Sequence, residues 1–198
     1  MEPTKRRVMR SIVHLSLLVT AVVLVAGSAK YRRKKALQRA PIMQNPARTG
    51  TAGRTPANLR YGTSVAMVSY APGQGSCFHI QTRRSASLMQ TMTFTLRAVN
   101  KIDQKLDTAP TVSALGVQVL RSSSRLVPYT TTVRDTVRDA NGRIIATRDR
   151  NVQRIKRVHS TLARVCFPQG NVPNKDSRFL ELIGRSGRSR IWAAWRLQ

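Results

Sequence analysis

Carboxylates are scarce in this chain: 8 Asp and Glu among 198 residues, against 35 Lys and Arg. From Pro3 to Ile102 there are none, although 17 of the basic residues lie there. A surface so poor in acids cannot neutralise itself through internal ion pairs. Its formal charge of +27 asks for an outside polyanion, whether nucleic acid, an anionic lipid leaflet or an acidic protein. With only 3 His and 2 Cys as well, the chain has little with which to build an acid–base or metal centre. No phosphate-cradling glycine loop, zinc-ligand spacing or nucleophile elbow is present, so no metal and no cofactor is expected and the chain reads as non-enzymatic. Aromatic residues are 5% of the total, which leaves an aliphatic core.

The two cysteines, Cys77 and Cys166, lie far apart in the sequence. In an oxidising compartment they can close a loop of about 90 residues, worth roughly 4 kcal/mol on the chain-entropy model. In a reducing one they are two small core residues.

Long apolar runs are also rare, and the one exception is informative. Ser11–Ala29 reads SIVHLSLLVTAVVLVAGSA, with His14 its only ionisable residue. As a helix, at 1.5 Å per residue, it just reaches across a hydrocarbon layer of ~30 Å. Leu15, Leu17, Leu18, Val22, Val23, Leu24 and Val25 form its membrane-facing body. The segment is therefore read as a single-pass transmembrane helix, with a signal-peptide core as its competitor, because Gly27-Ser28-Ala29 offers small residues of the cleavage type. Flanking charges put Lys5, Arg6, Arg7 and Arg10 before it and Lys30, Arg32, Arg33, Lys34, Lys35 and Arg39 after it. This balance tilts only weakly toward keeping the C-terminal side in the cytosol, so sidedness stays open. Membrane, secreted, virion and organellar locations all fit, the last because acidic-poor, Arg-rich N-termini also characterise transit peptides.

Three regions follow: a basic N-terminus with its apolar segment over 1–30, a linker over 31–62 rich in Pro, Gly, Thr and basic residues, and a basic strand-rich domain over 63–198. In the domain the hydrophobic period is two. Met92, Phe94, Leu96 and Ala98 alternate with Thr91, Thr93, Thr95 and Arg97. Shorter runs of the same kind occur at Ser64–Tyr70, Cys77–Thr82, Val112–Leu120, Arg178–Ile183 and Ser189–Leu197. Asn141-Gly142 predicts a hairpin with a type I′ turn, pairing Asp135 with Arg148 and Arg134 with Asp149; because both of its faces are polar, the hairpin should protrude. Val152, Ile155, Val158, Leu162 and Val165 recur at three- and four-residue steps and predict one basic amphipathic helix, Asn151–Val165. The expected fold is thus mainly β: a small β-sandwich or jelly-roll-like domain of about six to eight strands with one added helix.

Candidate polyanion contacts fall in three places. Arg32, Arg33, Lys34 and Lys35 can lie against anionic headgroups just after the apolar segment. Arg150, Arg154, Lys156, Arg157 and Arg164 cover the expected helix. At the C-terminus Arg190, Trp192 and Arg196 share one face of a strand whose other face, with Trp195, belongs to the core. Trp192 can stack on a nucleic-acid base, or be covered by the two arginine stems through cation–π contact.

Two catalytic readings compete with these. Cys77 and His79 point the same way on a strand and make a conceivable dyad, although a pair of core residues explains them as well. Thr161-Leu162…Cys166, with Arg178 twelve residues on, resembles the sortases, membrane-anchored β-barrel transpeptidases that carry Thr-Leu-x-Thr-Cys at a strand end and a downstream Arg. The resemblance covers under twenty residues, and Ala163-Arg164-Val165 places one residue too many between Leu and Cys. In a strand that turns the sulfur to the opposite face. The favoured expectation is a single-pass, membrane-associated structural or interaction protein docking onto an anionic partner. A virion or particle protein with a basic arm, Lys30–Arg60, is the first alternative. A basic subunit of an organellar ribosome or membrane complex is the second, and either implies assembly into a larger complex.

Overall fold

Alternating sequence with β-branched residues becomes strand, and nearly every period-two run does so here. The computed structural model describes residues 31–57, 62–102 and 109–198. The segment Ser11–Ala29 lies outside them; among the described residues no helix is long and apolar enough to cross a membrane. In chain order the elements are α1 (31–38), β1 (Ile42–Met43), α2 (Pro46–Thr49), β2 (Ser64–Ala71), β3 (Gly75–Thr82), α3 (Ala86–Gln90) and β4 (Thr93–Val99). They continue with β5 (Val112–Ser113), β6 (Gly116–Arg138), β7 (Ile144–Pro168), β8 (Phe179–Ser186) and β9 (Ser189–Leu197). The fold is mainly β.

The strands form two sheets, one ordered β1-β9-β8-β4-β5 and the other β2-β3-β7-β6. Only β1 runs parallel to its neighbour, β9; every other pair is antiparallel. One hydrophobic cluster joins the two sheets. Phe78, Ile80, Val165 and Phe167 come from the four-stranded sheet, and Phe94, Leu96, Leu182 and Trp195 from the five-stranded one. Trp195 stacks on Phe78 with centroids 5.6 Å apart, and Phe167 meets Phe78 edge-on at 5.8 Å. Although aromatics are scarce, they stand where the sheets meet.

The segment read as a linker folds onto the domain. A second cluster, on the outer side of the five-stranded sheet, places Leu37 and Ala40 of the α1 region against Val99, Phe179 and Ala194. Arg33 reaches from α1 to Glu181, 2.7 Å between Nη2 and Oε2, and Glu181 is fully buried. Next, β1 adds to β9, and Asn45 caps α2 by accepting from the Ala47 amide. Trp195 then donates from Nε1 to the Thr55 carbonyl at 2.7 Å. Low apolar density hid this packing: three anchoring side chains, Leu37, Met43 and Arg33, are spread among prolines, glycines and cations.

Residues 151–165, expected as a helix, are strand throughout as part of β7. The reason is a partner strand that lies earlier in the chain, from Val117 opposite Val165 to Thr132 opposite Asn151. β6 runs beside β7 from Gly116↔Cys166 to Arg138↔Ile144, so every residue of the supposed helix finds ladder pairing there. The apolar residues at three- and four-residue steps belong to two faces: Ile155 and Val165 lie on the core side of the strand, whereas Val152, Val158 and Leu162 lie on the other.

The hairpin register pairs Arg134 with Asp149 and Asp135 with Arg148. Arg134 bridges Asp149 at 3.0 Å, but Asp135 takes the diagonal Arg150 at 2.7 Å. The turn is a three-residue loop where a two-residue type I′ loop was expected. The Gly142 amide donates to the Asp139 carbonyl and the Asp139 amide to the Arg143 carbonyl, with Gly142 at φ 78°. This is the pattern of a turn ending in a glycine bulge. Asp139 drives it, its carboxylate accepting from the Asn141 and Arg143 amides. Since a Cβ at Gly142 meets nothing within 4 Å, a substitution there acts through backbone conformation alone. Gly142→Val should cost roughly 1 kcal/mol in equilibrium unfolding, because a β-branched residue resists positive φ. Gly142→Asn should cost clearly less, and equal losses would refute the assigned turn.

Cys77 and Cys166 face each other directly in the β3–β7 pair and are joined as a disulfide, 89 residues apart in sequence.

Candidate polyanion interface

β3 covers β7 only from Pro168 back to Thr161. From Ser123↔Ser160 to the turn, β6 and β7 continue alone as a two-stranded ribbon. At ~3.3 Å per residue, positions 123–138 make an arm on the order of 50 Å long. Between Arg121 and Ser160 ten cations stand against three carboxylates.

Strand alternation sorts them. Ala163, Val165 and Phe167 point into the core, so Leu162 and Arg164 lie on the outer face of the four-stranded sheet. Continuing outward by twos, that face carries Ser160, Val158, Lys156, Arg154, Val152, Arg150 and Arg148. Their cross-strand partners are Ser123, Arg125, Val127, Tyr129, Thr131, Val133 and Asp135. Nearly every cation therefore faces an uncharged residue across the ribbon. Arg148 and Arg150 share the Asp135 region, and the Arg150–Asp135 pair is exposed enough to exchange readily with another anion. Lys156 Nζ sits 4.9 Å from the Tyr129 ring centroid.

The inner face differs. It carries Leu126 and Ile155, 64% and 69% exposed, with Pro128 directly opposite Ile155, then Thr130, Thr132, Gln153 and Asn151. Arg157 lies here, turned away from the other β7 cations it was grouped with. Arg164 shares the outer face, but sits within the body beside Cys77, its Nη2 3.7 Å from the sulfur.

At the root of the arm, where β3 ends, an open hollow of about 310 Å³ is lined by Gln81, Arg121, Ser123, Ser160 and Leu162. A larger cleft of about 710 Å³ adjoins it, with Thr63, Arg83, Ser124, Arg125 and His159 on its walls. Guanidinium, hydroxyl and amide donors line both, and no carboxylate does. Such a lining suits an anion. Among the described residues, no group of three or more His, Cys, Asp or Glu is placed to hold a metal.

The remaining sequence candidates lie elsewhere. Trp192 is half-buried on the outer face of the five-stranded sheet, packed against the α1 cluster. Its Nε1 donates to Glu181 at 3.4 Å. It is therefore neither an open stacking platform nor sandwiched between Arg190 and Arg196, both of which are exposed on that sheet. Arg33 is committed to Glu181, whereas Arg32 and Lys35 are exposed on α1. Because the two sheets share one core, these residues and the ribbon cations occupy opposite sides of the domain. Tyr129 is the aromatic that the sequence argument missed. Only the register, which sets it opposite Arg154, reveals it. Cys166 is held in the disulfide, so neither the sortase-like motif nor the Cys77–His79 pair presents a free thiol. No protein-family model, curated protein or solved structure matches this chain.

Proposed function

We propose that the chain is a non-enzymatic, single-pass membrane-associated structural or interaction protein that docks onto an extended polyanion through the outer face of the β6–β7 arm. The observation that carries this reading is the line Arg148, Arg150, Arg154, Lys156 on one face of a strand that projects beyond the body. Same-face residues recur every ~6.7 Å along a strand, so the cations make a linear track. A track suits a linear polymer better than a point ligand. The two-sheet body, in this reading a small β-sandwich, serves as the mount, and Ser11–Ala29 tethers it.

The test uses the full chain in detergent micelles with heparin as a generic polyanion. Arg148→Gln, Arg154→Gln and Lys156→Gln together should weaken binding and lower the log–log salt slope by about two to three units. A charge-matched triple change on the opposite side, Arg32→Gln, Lys35→Gln and Arg196→Gln, should alter it far less. Equal losses from the two sets would place the interface elsewhere. For the tether, Leu18→Arg with Val23→Arg should release the protein from carbonate-washed membranes, since each central charge costs ~2.5–3.5 kcal/mol on insertion scales. Retention would refute it.

A second reading, a subunit of a particle or larger complex, is favoured by the inner face of the arm. Leu126, Pro128 and Ile155 continue the core side of the sheet beyond the body with nothing over them among the described residues. An isolated two-stranded ribbon is marginal in water, so an arm of this length gains from a neighbour. The basic arm foreseen at Lys30–Arg60 is not that arm, because 31–57 pack on the body.

A further inference from the structure

The outer face of the arm is divided lengthwise as well as charged. Its four outermost cations, Arg148, Arg150, Arg154 and Lys156, all stand on β7. Opposite the last three, β6 presents Val133, Tyr129 and Val127, each uncharged and half-buried. Neighbouring strands lie ~4.8 Å apart, so a line of charge runs beside a line of apolar surface at about the width of one nucleotide's sugar-to-base step. From this division we infer that the polyanion is single-stranded nucleic acid, its phosphates along the β7 cations and its bases against the β6 side at Tyr129. The inference rests on the polyanion reading above and deepens it.

Other polyanions match the division less well. A duplex presents two phosphate lines and keeps its base faces stacked inside, so it would call for cations on both strands of the ribbon. A sulfated polysaccharide has charge but no aromatic faces to stack on Tyr129. A bilayer is a plane, and would engage the wide outer face of the body before a narrow arm. A single strand offers one charged edge and one aromatic edge, the profile read by a cationic track with stacking side chains. Lys156 now holds the Tyr129 ring by cation–π contact. Its long stem lets the ammonium swing onto a phosphate and leave the ring to a base. Val127, Thr131 and Val133 bring no base-reading amide or guanidinium on β6, so binding should be indifferent to sequence. The hollow at the root, with Arg121, Ser123 and Ser160, would take a further phosphate where the track meets the body.

Fluorescence anisotropy on the full chain in detergent micelles tests this with a labelled oligo-dT of about 30 nucleotides, a duplex of the same length, and heparin. The oligo-dT should bind tighter than the duplex. Tyr129→Ala should lower oligo-dT affinity roughly fivefold to a hundredfold and leave heparin affinity unchanged, while Tyr129→Trp should restore it. The unchanged heparin affinity also reports that the arm is still folded in the variant. Duplex binding as tight as oligo-dT, or a Tyr129→Ala loss that falls equally on heparin, would overturn the single-strand inference and leave the polyanion reading standing. Heparin binding that ignores the β7 cations would overturn the polyanion reading itself.

Discussion

Trp195→Ala should remove about 3–5 kcal/mol of unfolding free energy, the range for truncating a large buried aromatic. The side chain is fully buried and joins three parts of the chain at once. It stands on β9 of the five-stranded sheet, stacks on Phe78 of the four-stranded sheet, and donates to Thr55 of the N-terminal segment. Truncation therefore opens a cavity between the sheets and leaves the part-buried Thr55 carbonyl without its donor. Trp195→Phe keeps the stacking and should lose appreciably less. Trp192→Ala, on the opposite face of the same strand, should also cost less, because that ring is only half-buried. Urea titrations of the full chain in micelles, followed by far-UV circular dichroism, give the comparison. A larger loss at Trp192 than at Trp195 would mean that the wrong face of β9 has been assigned to the core.

Glu181→Ala should cost a comparable ~3–5 kcal/mol, because it removes the buried carboxylate that a largely buried guanidinium and the Trp192 Nε1 both donate to. Glu181 is fully buried and Arg33 is 11% exposed; both guanidinium nitrogens that touch the carboxylate, Nε and Nη2, do so at 3.2 and 2.7 Å. The carboxylate also accepts from Trp192. It is the one acidic side chain buried in the body among the described residues, so in this acid-poor chain it stands as the specific lock for α1. The diagnostic variant is double. Arg33→Met with Glu181→Leu removes both charges together, and should be clearly less destabilised than the sum of Arg33→Ala and Glu181→Ala. Additive losses would refute the pairing. Loss of the pair should also loosen α1 and leave the ribbon intact, since α1 packs on the five-stranded sheet and the ribbon extends the other one.

These two sites differ in how far the sequence foretold them. Trp195 was legible because alternation with Ile191, Ala193 and Leu197 marks a core face without reference to any other part of the chain. Glu181 was not, since nothing local to Glu181 or Arg33 announces a contact across 148 residues. The same contrast runs through the outer face of the arm. Arg150, Arg154 and Lys156 stood out as a basic group, but their arrangement was assigned to a helix, and Arg148 was read only as a hairpin partner of Asp135. On a helix Arg154 and Arg157 would lie near one another, whereas on a strand they point to opposite sides.

What the sequence by itself determined is therefore the local part: the alternation of the shorter strands between Ser64 and Leu197, the hairpin register at Arg134 and Asp135, the Trp195 face, and the deficit of acidic residues. Each depends on neighbours a few residues apart, where backbone geometry leaves few choices. Tertiary structure alone decided that 151–165 is strand. Apolar steps of three and four suit either a helix face or two strand faces, and the backbone hydrogen bonds that choose between them come from β6. It also decided that 31–57 belong to the body, that Trp192 packs against α1 and Glu181, and that Tyr129 stands on the arm opposite Arg154. Burial is a property of what arrives from elsewhere in the chain, and a residue's own neighbours in sequence carry no record of it.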